Sequence, residues 1–432
     1  MDNSVEAHEG MLDTLQRESF QYFLYEVNPA NGLVIDKTEA GSPSSIAAVG
    51  LALAAYPVAV ERGLLDRGDA IARTLAVLRF FRDSPQDAEP DATGYKGFYY
   101  HFLDMQTGRR VWECELSTMD SALLFAGMLT AAEYFTDESS PEHEIRKLAV
   151  DLFSRADWQW ARNGGATVAN GWRPECGFLE YRWEGFDEAL ILYLLGLGSP
   201  TYPLPEESYQ AWASTYKWKK IYGYEYLHAG PLFIHQLAHV WVDFRGIQDA
   251  FMREKGIDYF ENSRRATHVQ REYATHNPCE FEGYGTSCWG LTASNGPGPA
   301  TRTIRGRKRE FFDYAARGVP NGPDDGTIAP WAAASSLPFA PEIVTPALEH
   351  FIHDVKLKES NKYGFKAAFN LTFPPTAQSP RGWVSKWHCG LNQGPIVLMV
   401  ENYRSGFLWD LMRKCPYLLQ GLRRAGFRNG WL

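Results

Sequence analysis

The stretch IAAVGLALAAYPVAV, residues 46–60, decides the fold class because it carries no charged residue on any side. If it is helical, it has no polar face and must be covered by protein all round. The next periodic stretch, AIARTLAVLRFF at residues 70–81, is different. It gathers apolar residues on one face and arginines on the other, as expected of a half-exposed helix. Together the two stretches predict a buried helix followed by a covering helix.

This alternation of buried and half-exposed helices continues along the chain. Further stretches that are apolar almost all round lie at residues 119–129, 187–197, 231–242, 328–337 and 391–400. Further stretches with one apolar face lie at residues 12–25, 142–157, 206–217, 247–260, 342–357 and 416–425. A ring of buried helices wrapped by a ring of amphipathic helices covers the first kind of helix on all sides and leaves the polar face of the second kind in solvent. We therefore predict an all-α fold, an (α/α)6 toroid formed by residues 1–432 as a single domain.

Composition and charge exclude several classes of partner. The 432 residues include 45% hydrophobic and 22% charged residues, which is ordinary for a soluble globular protein. The formal net charge is -9 and the basic residues are scattered, so neither nucleic acid nor a membrane is an expected partner. The N-terminal residues lack the basic and apolar regions of a signal peptide. We expect a cytoplasmic protein, or a periplasmic one if a leader has been removed.

Metal and cofactor signatures are weak. His235 and His239 have the i, i+4 spacing of a metal-binding pair, but no glutamate follows His235 as in H-E-x-x-H. The six cysteines include no C-x-x-C pair. Patterns typical of serine hydrolases and of phosphate or dinucleotide binding are also missing from the sequence. We expect neither a metal nor a cofactor.

The loops that enter the buried helices are rich in aromatic and acidic residues. Aromatic residues make up 14% of the chain, and although a large helical core could use them, Trp and Tyr also offer flat faces to sugar rings. In a toroid these loops gather at one end, where we expect the pocket. The residues predicted to contact substrate are Trp112, Trp183, Tyr224, His235, Glu282, Trp289, Asp325, Trp331, Trp387 and Glu401. Such a rim suits a neutral, polyhydroxylated ligand, because carboxylates accept hydrogen bonds from hydroxyl groups.

Glycosidic bonds are usually cleaved by two carboxyl groups, and the stretch WECELSTMD, residues 112–120, supplies two candidates. Asp120 follows Ser117 by three residues, so it can also belong to a capping box at a helix start. Glu115 precedes the helix and cannot belong to that cap. A solvated loop acid is the alternative interpretation of Glu115.

Glu188 is the third candidate, at the predicted start of another buried helix. Asp187 lies beside it, and because neighbouring helical residues diverge by about 100°, only one of the two can point along the barrel axis. We favour Glu188 for catalysis and Asp187 as the cap. A helix start favours the ionised form of an acid, so a proton donor there needs burial or a nearby like charge. We expect Asp120 to be the ionised partner and Glu188 the proton donor, with Glu115 in reserve.

Glu401 lies well inside the last predicted buried helix. An acid in that position needs a partner, and Arg404, about one turn later, is the obvious one. A structural ion pair is therefore as well supported as a role in substrate binding.

Several long segments resemble the Glycoamylase domain family, and within it the bacterial endo-β-1,2-glucanases and the glycoamylase-like region of cyclic β-1,2-glucan synthases. The matching segments span about residues 112–406 and are WECELSTMDSALL, FDEALILYLLGLGSP, LFIHQLAHVWVDFRGIQD, EGYGTSCWGLTASNGP, DGTIAPWAAASSLPFAPE and LNQGPIVLMVENYRSG. The resemblance implies an (α/α)6 glycoside hydrolase with an acidic cleft and no required metal, and it places Asp120 and Glu188 among the acidic pocket residues. It also implies export to the periplasm, which the N-terminal residues do not support.

The resemblance further implies hydrolysis of a β-glucan, most directly β-1,2-glucan or its oligosaccharides, by carboxylate acid/base catalysis. Two alternatives stay open. One is a glucoamylase that cleaves α-glucans, as the family's name suggests. The other is a sugar isomerase, epimerase or binding protein on the same toroid, in which His228, His235, His239 and His388 would matter more than the acids.

Overall fold

The computed structural model describes residues 3–358, 362–375 and 379–432, with side chains from His8 onward. The fold is predominantly helical. The helices are α1 (Asn3–Tyr25), α2 (Ile46–Glu61), α3 (Arg67–Asp83), α4 (Thr118–Tyr134), α5 (Ser140–Ser154), α6 (Trp158–Ala161), α7 (Leu190–Gly198), α8 (Glu206–Ala213), α9 (Ala250–Lys255), α10 (Tyr259–His276), α11 (Pro330–Ala334), α12 (Pro341–His353), α13 (Gly390–Arg404), α14 (Phe407–Met412) and α15 (Pro416–Arg424). The strands are β1 (Ser44–Ser45), β2 (Gly94–Tyr95), β3 (Phe98–Tyr100), β4 (Phe102–Leu103), β5 (Leu116–Ser117), β6 (Gly171–Arg173), β7 (Gly177–Phe178), β8 (Trp218–Ile221), β9 (Tyr224–Leu227), β10 (Ala293–Ser294), β11 (Ala300–Ile304), β12 (Arg307–Phe311), β13 (Ala315–Ala316), β14 (Thr327–Ile328), β15 (Phe369–Asn370) and β16 (Trp383–Val384).

The chain divides into two compact units, each assembled from separate parts of the sequence. Unit 1 comprises Met1–Gln21, Lys217–Leu237 and Phe260–Arg404. Unit 2 comprises Tyr22–Tyr216, Ala238–Tyr259 and Ser405–Leu432. The units therefore interleave along the sequence rather than follow one another. The single domain expected from the sequence stays a prediction.

The buried helices α2 and α4 form the centre of unit 2. Both are buried along almost their whole length. They cross closely at glycines, since a Cβ at Gly50 would collide with the Leu123 carbonyl and one at Gly127 would collide with the backbone of Gly50. The amphipathic helices α3 and α5 pack over them, and α7 packs against α4 and α15. The structure confirms the buried helices predicted at 46–60 and 119–129, together with the covering helices that follow them.

Unit 1 has an apolar core of its own. The core collects side chains from α1, α11, α12 and α13 around Trp289 and Trp331. Helix α13 is buried over most of its length, which confirms the buried helix predicted at 391–400. Helix α12 buries one face only, as the amphipathic pattern at 342–357 predicts.

Two of the predicted buried helices are wrong in length or type. Residues 231–242 form 3-10 turns instead of an α-helix, because Gln236 leaves helical backbone angles (φ -121°) and its side-chain amide donates to the Ala332 carbonyl at 2.6 Å. Residues 328–337 keep only the short helix α11. There the chain approaches Pro338, and the residue before a proline disfavours helical angles.

Two further helices, α7 and α10, differ from the sequence prediction. Helix α7 begins at Leu190, so residues 187–189 form the turn before it rather than its first turn. The amphipathic segment predicted at 247–260 ends where α10 begins, and α10 itself was not predicted. Its mean hydropathy is low, although its apolar residues do lie on one face.

Short strands occur where the sequence predicts only loops, which corrects the all-α expectation. In unit 2, β2, β3, β5, β6 and β7 form an antiparallel five-stranded sheet. The run FYYHF at residues 98–102 has the aromatic composition typical of strands. Its register pairs Tyr100 with Leu116, and Leu116 with Trp172. The sheet thereby brings three loops of unit 2 together.

Among the described residues, no helix combines the length and apolar composition needed to span a lipid bilayer.

Candidate active site

The three predicted catalytic acids all lie in unit 2. Glu115 immediately precedes β5, and Asp120 lies in the first turn of α4, which follows β5 directly. Because β3 pairs with β5, the residue after β3, His101, lies beside Glu115, and its backbone N–H donates to the Glu115 carbonyl at 3.0 Å. Glu188 comes from the turn before α7, which packs against α4.

His101 joins two of these acids. Its Nδ1 lies 2.9 Å from Oε1 of Glu115, and its Nε2 lies 3.6 Å from Oδ1 of Asp120. The imidazole stacks on the Phe102 ring, with centroids 3.9 Å apart and an interplanar angle of 12°. The side chains of His101, Glu115 and Asp120 remain 29%, 25% and 16% exposed, so a ligand can reach them. This group of three is called the His101 cluster below.

Asp120 is held by the start of its own helix. Ser117 is the N-cap of α4, and its Oγ accepts a hydrogen bond from the Asp120 backbone N–H at 3.1 Å. The same hydroxyl donates to Oδ2 of Asp120 at 2.5 Å. The capping interaction predicted for this stretch is confirmed, and it orients the carboxyl so that Oδ1 faces His101.

Opposite charges keep the His101 cluster ionised. Burial would lower the pKa of His101, but Asp120, Glu115 and Asp36 outweigh it and raise that pKa to about 9. Burial acts in the other direction on Glu115, yet the hydrogen bond and charge of His101 hold the pKa of this carboxyl below its usual range. At neutral pH His101 is therefore an imidazolium beside the Glu115 carboxylate.

The sequence did not single out His101 or Asp36. Asp36 follows Ile35, which bridges to Ser44, and β1 in turn pairs with β4, so the chain returns Asp36 to the neighbourhood of His101. Burial raises the pKa of Asp36, against the opposing charges of His101 and Lys37. Only strand pairing brings these residues to Asp120, and a single sequence carries no signal for that pairing. The one available hint is a histidine inside the aromatic run at 98–102.

Glu188 has the environment of a proton donor. Burial raises its pKa to about 8, with the charges of Asp120 and Asp187 acting in the same direction and that of His101 opposing them. Glu188 therefore keeps its proton at neutral pH. It precedes α7 instead of starting it, so the helix dipole invoked in the sequence prediction acts on it only weakly.

Asp187 serves the local structure, but it is not the cap predicted from the sequence, because the N-cap of α7 is Ala189. Its Oδ1 accepts hydrogen bonds from the Ala189 backbone N–H at 3.0 Å and from Trp212 Nε1 at 2.9 Å. Burial raises its pKa to about 6, although these hydrogen bonds act to lower it. Asp187 is thus ionised at the pH at which Glu188 is still protonated.

Two of the predicted aromatic residues lie in unit 2. Trp183 is partly buried, and its Nε1 donates to Thr118 Oγ1 at 3.0 Å at the start of α4. Trp112 is 63% exposed, and its ring lies 5.2 Å from Phe102, the residue that stacks on His101. Trp112 and Glu113 both adopt left-handed backbone angles, with φ of 58° and 46°. Such strain in two successive non-glycine residues is typical of functional loops.

The structure corrects three predictions in unit 1. Trp289 and Trp331 are 0% and 3% exposed in the apolar core, so neither offers a free face to a sugar. His235 is 1% exposed, and its Nε2 donates to the Ala229 carbonyl at 3.2 Å. Burial lowers the pKa of His235 to about 3, so the ring is neutral. These residues were predicted to lie on the rim of the pocket because their burial cannot be determined from the sequence.

Asp325 is also corrected, because it is fully buried in an ion pair. Arg317 donates to both of its carboxylate oxygens, at 2.7 and 2.8 Å, and both side chains are 0% exposed. Burial acts to raise the pKa of Asp325, but Arg317 holds it below its usual range. A carboxylate so enclosed has no oxygen left for a substrate hydroxyl.

Glu401 is part of a structural network, and the direct ion pair with Arg404 expected from the sequence stays a prediction. It is 2% exposed, and its Oε2 accepts a hydrogen bond from Gln16 Nε2 at 3.0 Å. Arg404 in turn donates to Oε1 of the same glutamine at 2.9 Å. Glu401 and Arg404 are thus linked through Gln16, within unit 1, and the prediction that Glu401 contacts substrate is corrected.

The remaining predicted contacts stay predictions. Tyr224 is partly buried and stacks on His268 at 5.5 Å, and Trp387 is partly buried after β16. Glu282 is exposed and pairs with Arg305 at 2.7 Å. Among the described residues, no group of three or more His, Cys, Asp or Glu side chains is arranged to hold a metal ion. The helical spacing expected of His235 and His239 does not exist, because that segment forms 3-10 turns.

Comparison with known proteins identifies relatives along the whole chain. The exo beta-1,2-glucooligosaccharide sophorohydrolase (non-reducing end) of Parabacteroides distasonis is 28% identical, over 96% of this chain. The chain spans only 58% of the length of that relative.

Solved structures give the same result. A "putative glucoamylase" from Bacteroides uniformis is 31% identical with a TM-score of 0.87, and the match covers 98% of each chain. The endo-beta-1,2-glucanase from Chitinophaga pinensis is 27% identical with a TM-score of 0.85, over 98% of this chain and 99% of that one. The family model for Glycoamylase, described as "Putative glucoamylase", matches residues 180–416, which is more than half of the sequence. The chain therefore belongs to the Glycoamylase family.

Proposed function

We propose that this protein is a glycoside hydrolase that acts on β-1,2-glucan or its oligosaccharides. The observation that carries the proposal is that one unit holds two carboxyl groups in different surroundings: Glu188, whose raised pKa keeps its proton near neutral pH, and Asp120, which lies against the His101 imidazolium. Acid/base cleavage of a glycosidic bond needs one carboxyl group that donates a proton and a second that acts as the base. The linkage is supported by the named activities of the sophorohydrolase and the endo-glucanase among the relatives.

In this mechanism Glu188 is the general acid. Its proton passes to the glycosidic oxygen as the bond between that oxygen and the anomeric carbon breaks. Asp120 is the base, which accepts a proton from the water that adds to the anomeric carbon. The raised pKa of Glu188, at about 8, suits a donor that works near neutral pH.

Trp112 and Trp183 are the proposed sugar contacts in unit 2. Trp112 offers an exposed indole face beside Phe102, and aromatic faces pack well against the C–H side of a sugar ring. Trp183 is tied to Thr118, two residues before Asp120, so a sugar that contacts its ring lies close to the base.

We also propose that the helices complete an (α/α)6 toroid and that the chain folds as one domain. Support comes from the buried and covering helix pairs found within unit 2, and from the likeness to the Bacteroides uniformis structure over 98% of the chain. A crystal structure of the protein would test the toroid directly. A single transition in differential scanning calorimetry would support the single domain.

Product analysis tests the activity. The protein is incubated with β-1,2-glucan, sophorose, β-1,3-glucan, laminaribiose and soluble starch, and products are separated by chromatography. We expect short glucooligosaccharides from β-1,2-glucan, glucose as the only product that sophorose can give, and no product from the other three substrates. Products from starch alone would support the α-glucan alternative, and interconversion of free sugars without hydrolysis would support the isomerase alternative. Retention of sugar on the protein without any product would indicate a binding protein.

A further inference from the structure

His101 is built into the site from several directions. Its backbone N–H is fixed by the Glu115 carbonyl at 3.0 Å, and its ring is stacked on Phe102. Its two ring nitrogens face two different carboxyl groups, Glu115 at 2.9 Å and Asp120 at 3.6 Å. These contacts hold the imidazole ring in one orientation. The ring therefore sets the distance between the carboxyl groups of Glu115 and Asp120.

The charges around His101 require a cation at this position. Three carboxyl groups, Asp36, Glu115 and Asp120, act on its imidazole. Like charges so close together raise one another's pKa values and favour protonation. Other charged groups act on single acids of the site: Lys37 on Asp36, and Arg173 on Glu115. The pKa of Glu188 is raised by Asp120 and Asp187. His101 is the cation that acts on Asp36, Glu115 and Glu188 alike.

We propose that His101 is a positioning residue, which aligns Asp120 and Glu115 through its two ring nitrogens and places a positive charge between the two carboxyl groups. The proposal rests on the proposed function, because it takes Asp120 as the base and Glu188 as the acid. It adds a requirement that the two carboxyl groups alone do not contain: the site works as an acid–base pair only while His101 carries its proton.

Removing the positive charge of His101 should shift the pH dependence of activity in a defined direction. The charge of His101 acts to lower the pKa of Glu188, so its loss raises the pKa of the proton donor further. The alkaline limb of the pH profile of kcat/KM, which reports loss of the proton from Glu188, should therefore move to higher pH.

The main test is the pH profile of His101→Gln on β-1,2-glucooligosaccharides. Glutamine keeps a hydrogen-bond donor near Glu115 but has no charge. We expect kcat/KM at pH 6 to fall by roughly tenfold to a hundredfold, as for a misplaced catalytic group, and the alkaline limb to move up by about one pH unit. His143→Gln, an exposed histidine on α5, is the matched control and should change neither quantity. Lower activity with the alkaline limb unmoved would overturn the proposal, since a purely structural role lowers activity without moving that limb.

A second measurement does not depend on activity, and its first part uses the wild-type protein. NMR titration of the histidine rings in the wild-type protein should show one imidazole that stays protonated to about pH 9. In Asp120→Asn the same signal should titrate at lower pH, because the carboxylate that stabilises the charge is gone. If every histidine titrates near its ordinary pKa, the proposal is wrong. Absence of any hydrolysis by the wild type would instead reject the proposed function and leave this titration result standing.

Discussion

Asp325 in unit 1 and Glu188 in unit 2 are both carboxyl groups withdrawn from solvent, but their surroundings are opposite. Asp325 accepts two hydrogen bonds from Arg317 and further ones from the backbone N–H groups of Phe312 and Thr327. Glu188 has the carboxyl groups of Asp120 and Asp187 as the charges that raise its pKa. The pKa of Asp325 is lowered and that of Glu188 is raised.

This difference in surroundings distinguishes an acid that stabilises the structure from an acid that can transfer a proton. A buried carboxylate with a cation on both oxygens is locked in one charge state and one position, so it can stabilise a loop but cannot exchange a proton. A carboxyl group beside other acids keeps its proton near neutral pH and can still give it to a substrate. Burial alone does not distinguish the two, because burial is the largest influence on both pKa values.

The largest expected effect is on catalysis in unit 2. Glu188→Gln keeps the shape of the side chain and removes the transferable proton, so kcat should fall about 10²- to 10⁴-fold. The melting temperature should change little at neutral pH, because the amide replaces a carboxyl group that is itself uncharged there. Steady-state kinetics and thermal melts measure both. Glu184→Gln, four residues earlier, with a side chain that accepts a hydrogen bond from Thr167, is the control and should keep its activity. Near-native turnover by Glu188→Gln would assign the proton donor to another acid.

The next effect is on stability in unit 1. Asp325→Asn leaves the Arg317 guanidinium buried without its counter-charge, which should cost about 3–5 kcal/mol of unfolding free energy. Urea denaturation measures this loss. Glu225→Gln, which breaks an exposed pair with Lys220, should cost less than about 1 kcal/mol. The folded fraction of Asp325→Asn should retain its kcat, and a specific loss of kcat without loss of stability would contradict the contrast between the two acids.

A smaller effect is expected at the exposed indole. Trp112→Ala removes a stacking face worth about 1 kcal/mol, so KM for oligosaccharides should rise roughly three- to tenfold, while kcat changes little. Tyr202→Ala, another exposed aromatic residue of unit 2, is the control. An unchanged KM in Trp112→Ala would mean that the strained backbone at Trp112 and Glu113 serves some other purpose than sugar binding.

The smallest effect sharpens the comparison through pH. Asp187→Asn removes one of the negative charges that raise the pKa of Glu188, yet an asparagine Oδ1 can still accept from Ala189 and Trp212. The pKa of Glu188 should fall, so the donor loses its proton earlier and the alkaline limb of kcat/KM moves to lower pH, by less than about one unit. Asp151→Asn on the surface of α5 should leave the limb in place. Movement to higher pH would contradict the electrostatic account of Glu188.

Individual residues mark how far the sequence could predict the site. Glu115, Asp120 and Glu188 were recognised because acids beside apolar helical stretches are visible locally, and the cap by Ser117 follows from spacing alone. Trp289, Trp331 and Asp325 were misplaced, because loop position along the sequence does not determine burial. His101 and Asp36 were missed, since they reach the acids through pairings of β3 with β5 and of β1 with β4.

The sequence by itself determined the helical character of the protein, the alternation of buried and covering helices, and the stock of acids and aromatic residues available for carbohydrate chemistry. These properties are local, because helix periodicity and capping depend on residues only a few positions apart. Only the tertiary structure decided which acids differ in protonation. A pKa depends on desolvation and on charges that distant strands bring within a few ångströms, as His101 does for Glu115 and Asp120.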